Sequence, residues 1–236
     1  MSVGATHVII DIPTGYRAKM KTVEDAHRLS RQFIHLGKEL SMRIHCAITF
    51  GEQPIGYCIG PALEAREALE TLHHYRVSDL TEKVTSLAGI LLNMAGKADS
   101  SLEGKIMAEH ILEHKALSKM KEIIEAQGGN PDVRPDEIPV GEYVAPITTD
   151  RKGVVRWINN NELVRIASAA GCPKDSGAGI QLCKKLGDTV HQGDTLLEIR
   201  AEKPGKLAQA ESLAQQYALM GIIDRWDQAM MLHDEE

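Results

Sequence analysis

Aromatic residues are scarce in this chain: Phe, Trp and Tyr make up 4% of its 236 residues. Single-stranded nucleic acid would therefore find no aromatic platform to stack on. A basic excess is missing as well. The formal net charge is -6 at pH 7, and Lys and Arg are interspersed with Asp and Glu, whereas phosphate-backbone binding needs a basic surface. Nucleic acid is thus not an expected partner. The 4 cysteines, Cys46, Cys58, Cys172 and Cys183, form no C-x-x-C pair, which excludes a zinc knuckle and a dithiol redox motif. They read as buried thiols in a reducing compartment. No apolar run approaches the roughly 18 to 20 residues that cross a bilayer, and the first residues show no basic-then-apolar signal pattern. The expectation is a cytoplasmic protein without membrane contact. Also lacking is any G-x-G-x-x-G or other Gly-rich turn that opens a helix with Ser or Thr and Lys, the usual cradle for phosphate.

What is present suits a globular fold. The composition is 43% hydrophobic and 25% charged, ordinary for one large domain or two modest ones, with a core of Leu, Ile, Val, Ala and Met. Thr6 to Ile12 is a short continuous apolar run, the signature of a strand buried on both faces. Thr22-Val-Glu-Asp then opens a helix whose apolar positions Val23, Ala26, Leu29, Phe33, Leu36 and Leu40 step by three and four. A second strand-like run, Arg43 to Phe50, completes a βαβ unit with both strands parallel. Pro61 to about His73 reads as a helix opened by proline, followed by helices at Ser78 to Ala95 and Ser100 to Gln127, the latter begun by the box Ser100-x-x-Glu103. Gly-Gly-Asn-Pro and three further prolines between Gly128 and Pro146 mark an extended connection. Beyond it, strands near Gly153 to Ile158, Ile180 to Lys184 and Thr195 to Arg200 alternate with helices near Asn161 to Ala170 and Pro204 to Leu219. The fold class is α/β plus α+β: a partial parallel βαβ sheet with helices in residues 1–140, then a small α+β C-terminal domain in residues 141–236.

Three stretches carry a family resemblance. Val8-Ile-Ile-Asp-Ile-Pro-Thr-Gly-Tyr-Arg-Ala-Lys-Met20 is similar to the strand and loop that closes over the nucleobase end of the site in thymidine phosphorylases. Gln53-Pro-Ile-Gly-Tyr-Cys-Ile-Gly-Pro-Ala-Leu-Glu-Ala-Arg-Glu-Ala-Leu69 is close to that family's Q-P-L-G-x-A-x-G-N-A-L-E-V-x-E-A signature. Asp175 to Ile199 looks like its small C-terminal domain. The chain resembles the C-terminal half of the thymidine phosphorylase and archaeal AMP phosphorylase family, and Asp-Ile-Pro-Thr-Gly, Lys19 and Gly-Pro-Ala-Leu-Glu lean toward the AMP-using branch.

The resemblance implies a pentosyltransferase. Phosphate attacks the anomeric carbon of a nucleoside 5'-monophosphate and the base leaves, so AMP gives adenine and ribose 1,5-bisphosphate. Such chemistry needs a donor cradle for the attacking dianion and an acid or cation for the departing base. The family places both upstream of the stretch matched here, so the resemblance assigns no catalytic residue to this chain. A strand that begins a few residues after Met1 yet ought to be central in a parallel sheet fits the same expectation, a truncated chain that is inactive alone. Phosphate is the expected co-substrate and no organic cofactor is implied; family members are dimers through a surface largely in the upstream helical domain, so the resemblance leaves a homo-oligomer of this chain open.

Residue by residue, Lys19 matches a substrate-binding Lys of the archaeal AMP phosphorylases, and a cation there could meet a nucleotide phosphate or a base carbonyl. A loop Lys between Arg17 and Lys21 is, in the absence of a ligand, simply solvated charge. Gly15, Tyr16, Arg17 and Ala18 make the rest of that loop. Ile55, Cys58 and Glu67 match positions where pyrimidine nucleoside phosphorylases hold a monovalent cation, potassium, through two carbonyls and a carboxylate; alternatively Glu67 is only the partner of a nearby Arg or Lys. His110 and His114 have the i, i+4 spacing of a metal clamp but no third ligand nearby. Lys184 to Leu197 also resembles a lipoyl carrier hairpin, without the Met-Lys-Met or Asp-Lys-Ala context of a modified lysine. Two other readings stand beside the main one: a thymidine or pyrimidine nucleoside phosphorylase, and a non-catalytic nucleotide-binding or assembly module.

Overall fold

A computed structural model describes residues 4–15, 18–76 and 78–224. In chain order the elements are β1 (His7–Thr14), α1 (Val23–Glu39), β2 (Arg43–Phe50), β3 (Cys58–Ile59), α2 (Pro61–His73), α3 (Asp79–Met94), α4 (Ser101–His114) and α5 (Ala116–Ala126). They continue as β4 (Tyr143–Thr148), β5 (Gly153–Ile158), α6 (Asn160–Ala170), β6 (Gly179–Leu182), β7 (Thr189–Val190), β8 (Thr195–Ala201), α7 (Pro204–Gln216) and β9 (Met220–Ile223). The chain forms two compact units, residues 1–51 with 68–134, and residues 52–67 with 135–236. The sequence reading puts residues 52–67 in the first part; their contacts lie in the second unit.

In the first unit β1 and β2 pair in parallel along their whole length, from His7 opposite Arg43 to Thr14 opposite Phe50. The intervening α1 is capped by the Thr22 side chain, which accepts from the Asp25 amide at 3.0 Å. That bond satisfies one of the donors a helix start leaves unpaired. Ser78 and Ser100 cap α3 and α4 in the same way. The single helix expected over Ser100 to Gln127 is instead two. Lys115 leaves helical geometry with φ -129°, so α4 ends there and α5 begins. No Gly or Pro marks that break.

The second unit holds two antiparallel sheets, ordered β3-β6-β8-β4 and β7-β5-β9. Its core is a continuous cluster that includes Val155, Ile158, Leu163, Ile166, Ile180, Leu197 and Ile199, all at most 1% exposed. The fold class expected from the sequence, a parallel βαβ segment followed by an α+β part, is what the structure contains. Two elements differ from expectation. The proline-rich connection ends in a strand, β4, and Pro146 is accommodated because β4 is the outer strand of its sheet, where a missing amide hydrogen costs no ladder bond. The helix expected to reach Leu219 stops at Gln216, because Tyr217 turns extended and Met220 to Ile223 pair with β5.

Candidate functional site

Open parallel sheets bind ligands beyond the carboxyl ends of their strands. In the first unit that end is formed by Thr14 of β1 and Phe50 of β2. The chain leaving β1 closes on itself: the Gly15 amide donates to the Met20 carbonyl and the Ala18 amide to the Gly15 carbonyl, both at 3.0 Å. Gly15, Ala18 and Lys19 are thereby brought together on one short turn, with the Lys19 side chain exposed. Tyr16 and Arg17 lie outside the described residues. The turn is anchored to β2, since the Gly51 amide donates to the Thr14 carbonyl at 2.8 Å and the Thr14 hydroxyl to the Thr49 carbonyl at 3.1 Å. Beneath it, Asp11 accepts from the Thr49 hydroxyl at 2.6 Å and pairs with Lys83 of α3 at 2.5 Å. An exposed ammonium on a braced turn at a sheet's carboxyl end can receive an anion. Lys83 was not legible as part of this arrangement; only the packing of α3 on β1 brings it to Asp11.

In the second unit, residues 53–60 are held by the very residues that make the sequence signature recognisable. Glu67 of α2 reaches back so that Oε1 accepts from the Tyr57 amide at 2.7 Å and Oε2 from the Cys58 amide at 3.2 Å. Gly56 has φ +66°, and a Cβ on it would lie 2.5 Å from Glu67 Oε2. Glycine is therefore required both for the turn and for the carboxylate's approach. Glu64 accepts from the Gly60 amide at 2.9 Å, and Gln53 from the Leu186 amide at 2.9 Å. Lys185, 5% exposed, donates from Nζ to the Gly56 carbonyl at 2.7 Å and sits 4.9 Å from the centre of the Tyr57 ring. This lysine lies in the hairpin-like run Lys184 to Leu197, and nothing in the local sequence shows that it turns inward.

The structure brings Cys58 and Glu67 together, with Ile55 in the same turn. Both Glu67 oxygens accept from backbone amides, and the Gly56 carbonyl, in the same turn, accepts from the Lys185 ammonium.

The cysteines are less buried than their sequence suggests: Cys46, Cys58 and Cys172 are half-buried and Cys183 is exposed. Desolvation and then the Glu64 carboxylate push the Cys172 thiol up, and desolvation and then Glu198 do the same to Cys183. Neither is an activated nucleophile. The His110 and His114 rings meet edge to face at 4.6 Å between centroids, and no group of three metal-ligating side chains occurs among the described residues.

Comparison with known proteins fits this architecture. Residues 154–219 match the pyrimidine nucleoside phosphorylase C-terminal domain family. Over 215 residues the chain is 51% identical to an AMP phosphorylase of Thermococcus kodakarensis, covering 90% of this chain and 42% of that protein. It is 49% identical to the AMP phosphorylase of Pyrococcus furiosus over the same shares. For the AMP phosphorylase of Methanosarcina acetivorans the identity is 44%, covering 91% of this chain and 42% of that protein. The chain thus spans less than half the length of these relatives. The resemblance read from the sequence, with its leaning toward the AMP branch, is borne out.

Proposed function

We propose, from a chain alike over 90% of its length to AMP phosphorylases, that it is the C-terminal part of a pentosyltransferase cleaving the N-glycosidic bond of AMP with inorganic phosphate. A phosphate oxygen bonds to C1′ of the ribose, the bond from C1′ to the base breaks with its electron pair moving to adenine, and adenine takes up a proton. Ribose 1,5-bisphosphate is the other product. That identity is the observation which carries the reading. The phosphate cradle and the proton donor are placed in the part of such an enzyme that the match does not span. Within this chain, Lys19 is assigned to the 5′-phosphate of AMP: its ammonium is exposed on the braced turn at the carboxyl end of β1. Gly15 and Ala18 shape that turn.

The test is phosphate-dependent release of free base from AMP, CMP, UMP, thymidine and uridine. It is run on this chain and on a chimaera joining it to the remaining portion of the Thermococcus kodakarensis enzyme. Activity in the chimaera alone, greatest with AMP, is expected. Preference for thymidine or uridine would favour the pyrimidine reading that the match over residues 154–219 supports, and nucleotide binding without turnover in the chimaera would favour a non-catalytic module. In the active chimaera, Lys19→Ala should raise KM for AMP about 10-fold or more, since a hydrogen bond to a charged group contributes about 1.5–3 kcal/mol. KM for adenosine should not change. An equal rise for both substrates would remove Lys19 from the 5′-phosphate.

A further inference from the structure

We infer that Lys185 is the resident cation of the residue 53–60 loop, so that this loop holds its shape without a bound potassium ion. A loop that turns through a left-handed glycine and buries the Gly56 carbonyl oxygen concentrates negative partial charge, and the Glu67 carboxylate adds a full one. Such a cluster is stable only if paired amides or a cation balance it. The amides are supplied by Tyr57 and Cys58. The cation is supplied by Lys185, whose Nζ lies 2.7 Å from the Gly56 carbonyl and beneath the face of Tyr57. Three features make this a built arrangement. Lys185 is 5% exposed, although lysine is seldom fully buried unless it is partnered. Its own backbone is fixed, since its amide donates to Asp188 Oδ2 at 2.7 Å in the turn that follows β6. The neighbouring Leu186 amide ties the same turn to Gln53 at the loop's start.

Lys185 is thus a positioning residue: it sets where the Gly56 to Cys58 backbone runs through contacts that a freely exchanging ion would otherwise have to supply. The loop's charge balance is a property of this chain and is independent of which reaction the whole enzyme performs, so it can be tested without activity.

Three proteins, the unaltered chain, Lys185→Met and Lys185→Arg, are melted in potassium, sodium and choline chloride at equal ionic strength. Amide exchange at Tyr57 and Cys58 is followed in parallel. The unaltered chain should melt at the same temperature in all three salts. Lys185→Met, which keeps the stem and loses the charge, should lower the melting temperature by about 4 °C or more. It should also lower protection at Tyr57 and Cys58 by about tenfold or more while leaving Leu163 and Ile166 in the core within about twofold. Lys185→Arg should recover part of that protection. A saturable rise in melting temperature with potassium alone, in the unaltered chain, would overturn the inference. Unchanged protection at Tyr57 and Cys58 in Lys185→Met, or an equal loss there and in the core, would overturn it too. Should Lys185→Met fail to fold, the salt comparison on the unaltered chain decides.

Discussion

Asp175 lies just past the end of α6, where Gly171 closes the helix with φ +119°. Its amide donates to the Gly171 carbonyl at 2.9 Å and its carboxylate accepts from Lys206 of α7 at 2.6 Å. That hydrogen bond, helped by the charges of Lys206, Lys203 and Lys174, holds the Asp175 carboxyl below the usual carboxylate range, against a smaller opposing effect of desolvation. A folded-state pKa below the unfolded one gives stability that is present above the unfolded value, about 3.9, and is lost as pH falls through the folded value. Asp175→Asn should therefore melt below the unaltered protein at pH 7, with the gap closing as the pH is lowered from about 5 to below 3. Melting curves across that range check it; a gap that persists in acid would mean the amide disturbs packing. Gly171, Gly56 and Asp175 are legible as turn residues, but their pairing with Lys206 or Glu67 is not, because the partners are 31 and 11 positions away.

Helices α3 and α4 show what an element can conceal. Both read as helices from their sequence and both carry one interior glycine, which ordinarily costs about 1 kcal/mol relative to alanine. Here the two glycines face each other: a Cβ on Gly104 would lie 2.3 Å from the Gly89 carbonyl oxygen, and one on Gly89 would lie 2.4 Å from the Lys105 amide nitrogen. The helices cross backbone against backbone, so the atoms in the way cannot rotate aside. Gly89→Ala and Gly104→Ala should each destabilise the first unit by about 1–3 kcal/mol, the cost of overpacking, despite the better helix former. Urea titration read by far-ultraviolet circular dichroism checks this. A variant as stable as the parent would mean that the crossing is looser. The caps of these helices were readable because Ser78 and Ser100 act within three residues of themselves; the break at Lys115 was not, for no local residue requires it.

At the scale of the molecule, the two units are built on different resources. The continuous buried cluster belongs to the second unit. The first has a parallel sheet of two strands, an arrangement that is marginal alone and normally covered on both faces within a wider sheet. Hydrogen exchange of this chain should accordingly protect Val155 to Ile158 and Leu197 to Ile199 more than Ile9 to Ile12, by about tenfold or more. Mass spectrometry of the exchanged peptides measures it, and equal protection would show that the first unit is stabilised as well as the second.

The sequence by itself determined the elements whose causes lie within a few residues: β1, α1 and β2 with their order, the capped starts of α1, α3 and α4, the proline opening of α2, and β5 at Gly153 to Ile158. Motif likeness across the chain, confirmed by 51% identity to an AMP phosphorylase, was legible for the same reason, since order of residues is all it uses. Only the tertiary structure decided that residues 52–67 join the C-terminal unit, that Tyr143 to Thr148 and Met220 to Ile223 become strands, and that Lys83 reaches Asp11. It also decided that Lys185 turns its charge onto Gly56. Each of these rests on a partner 72 to 133 positions away or on a neighbouring strand, and a hydrogen bond or ion pair that distant leaves no mark in local periodicity.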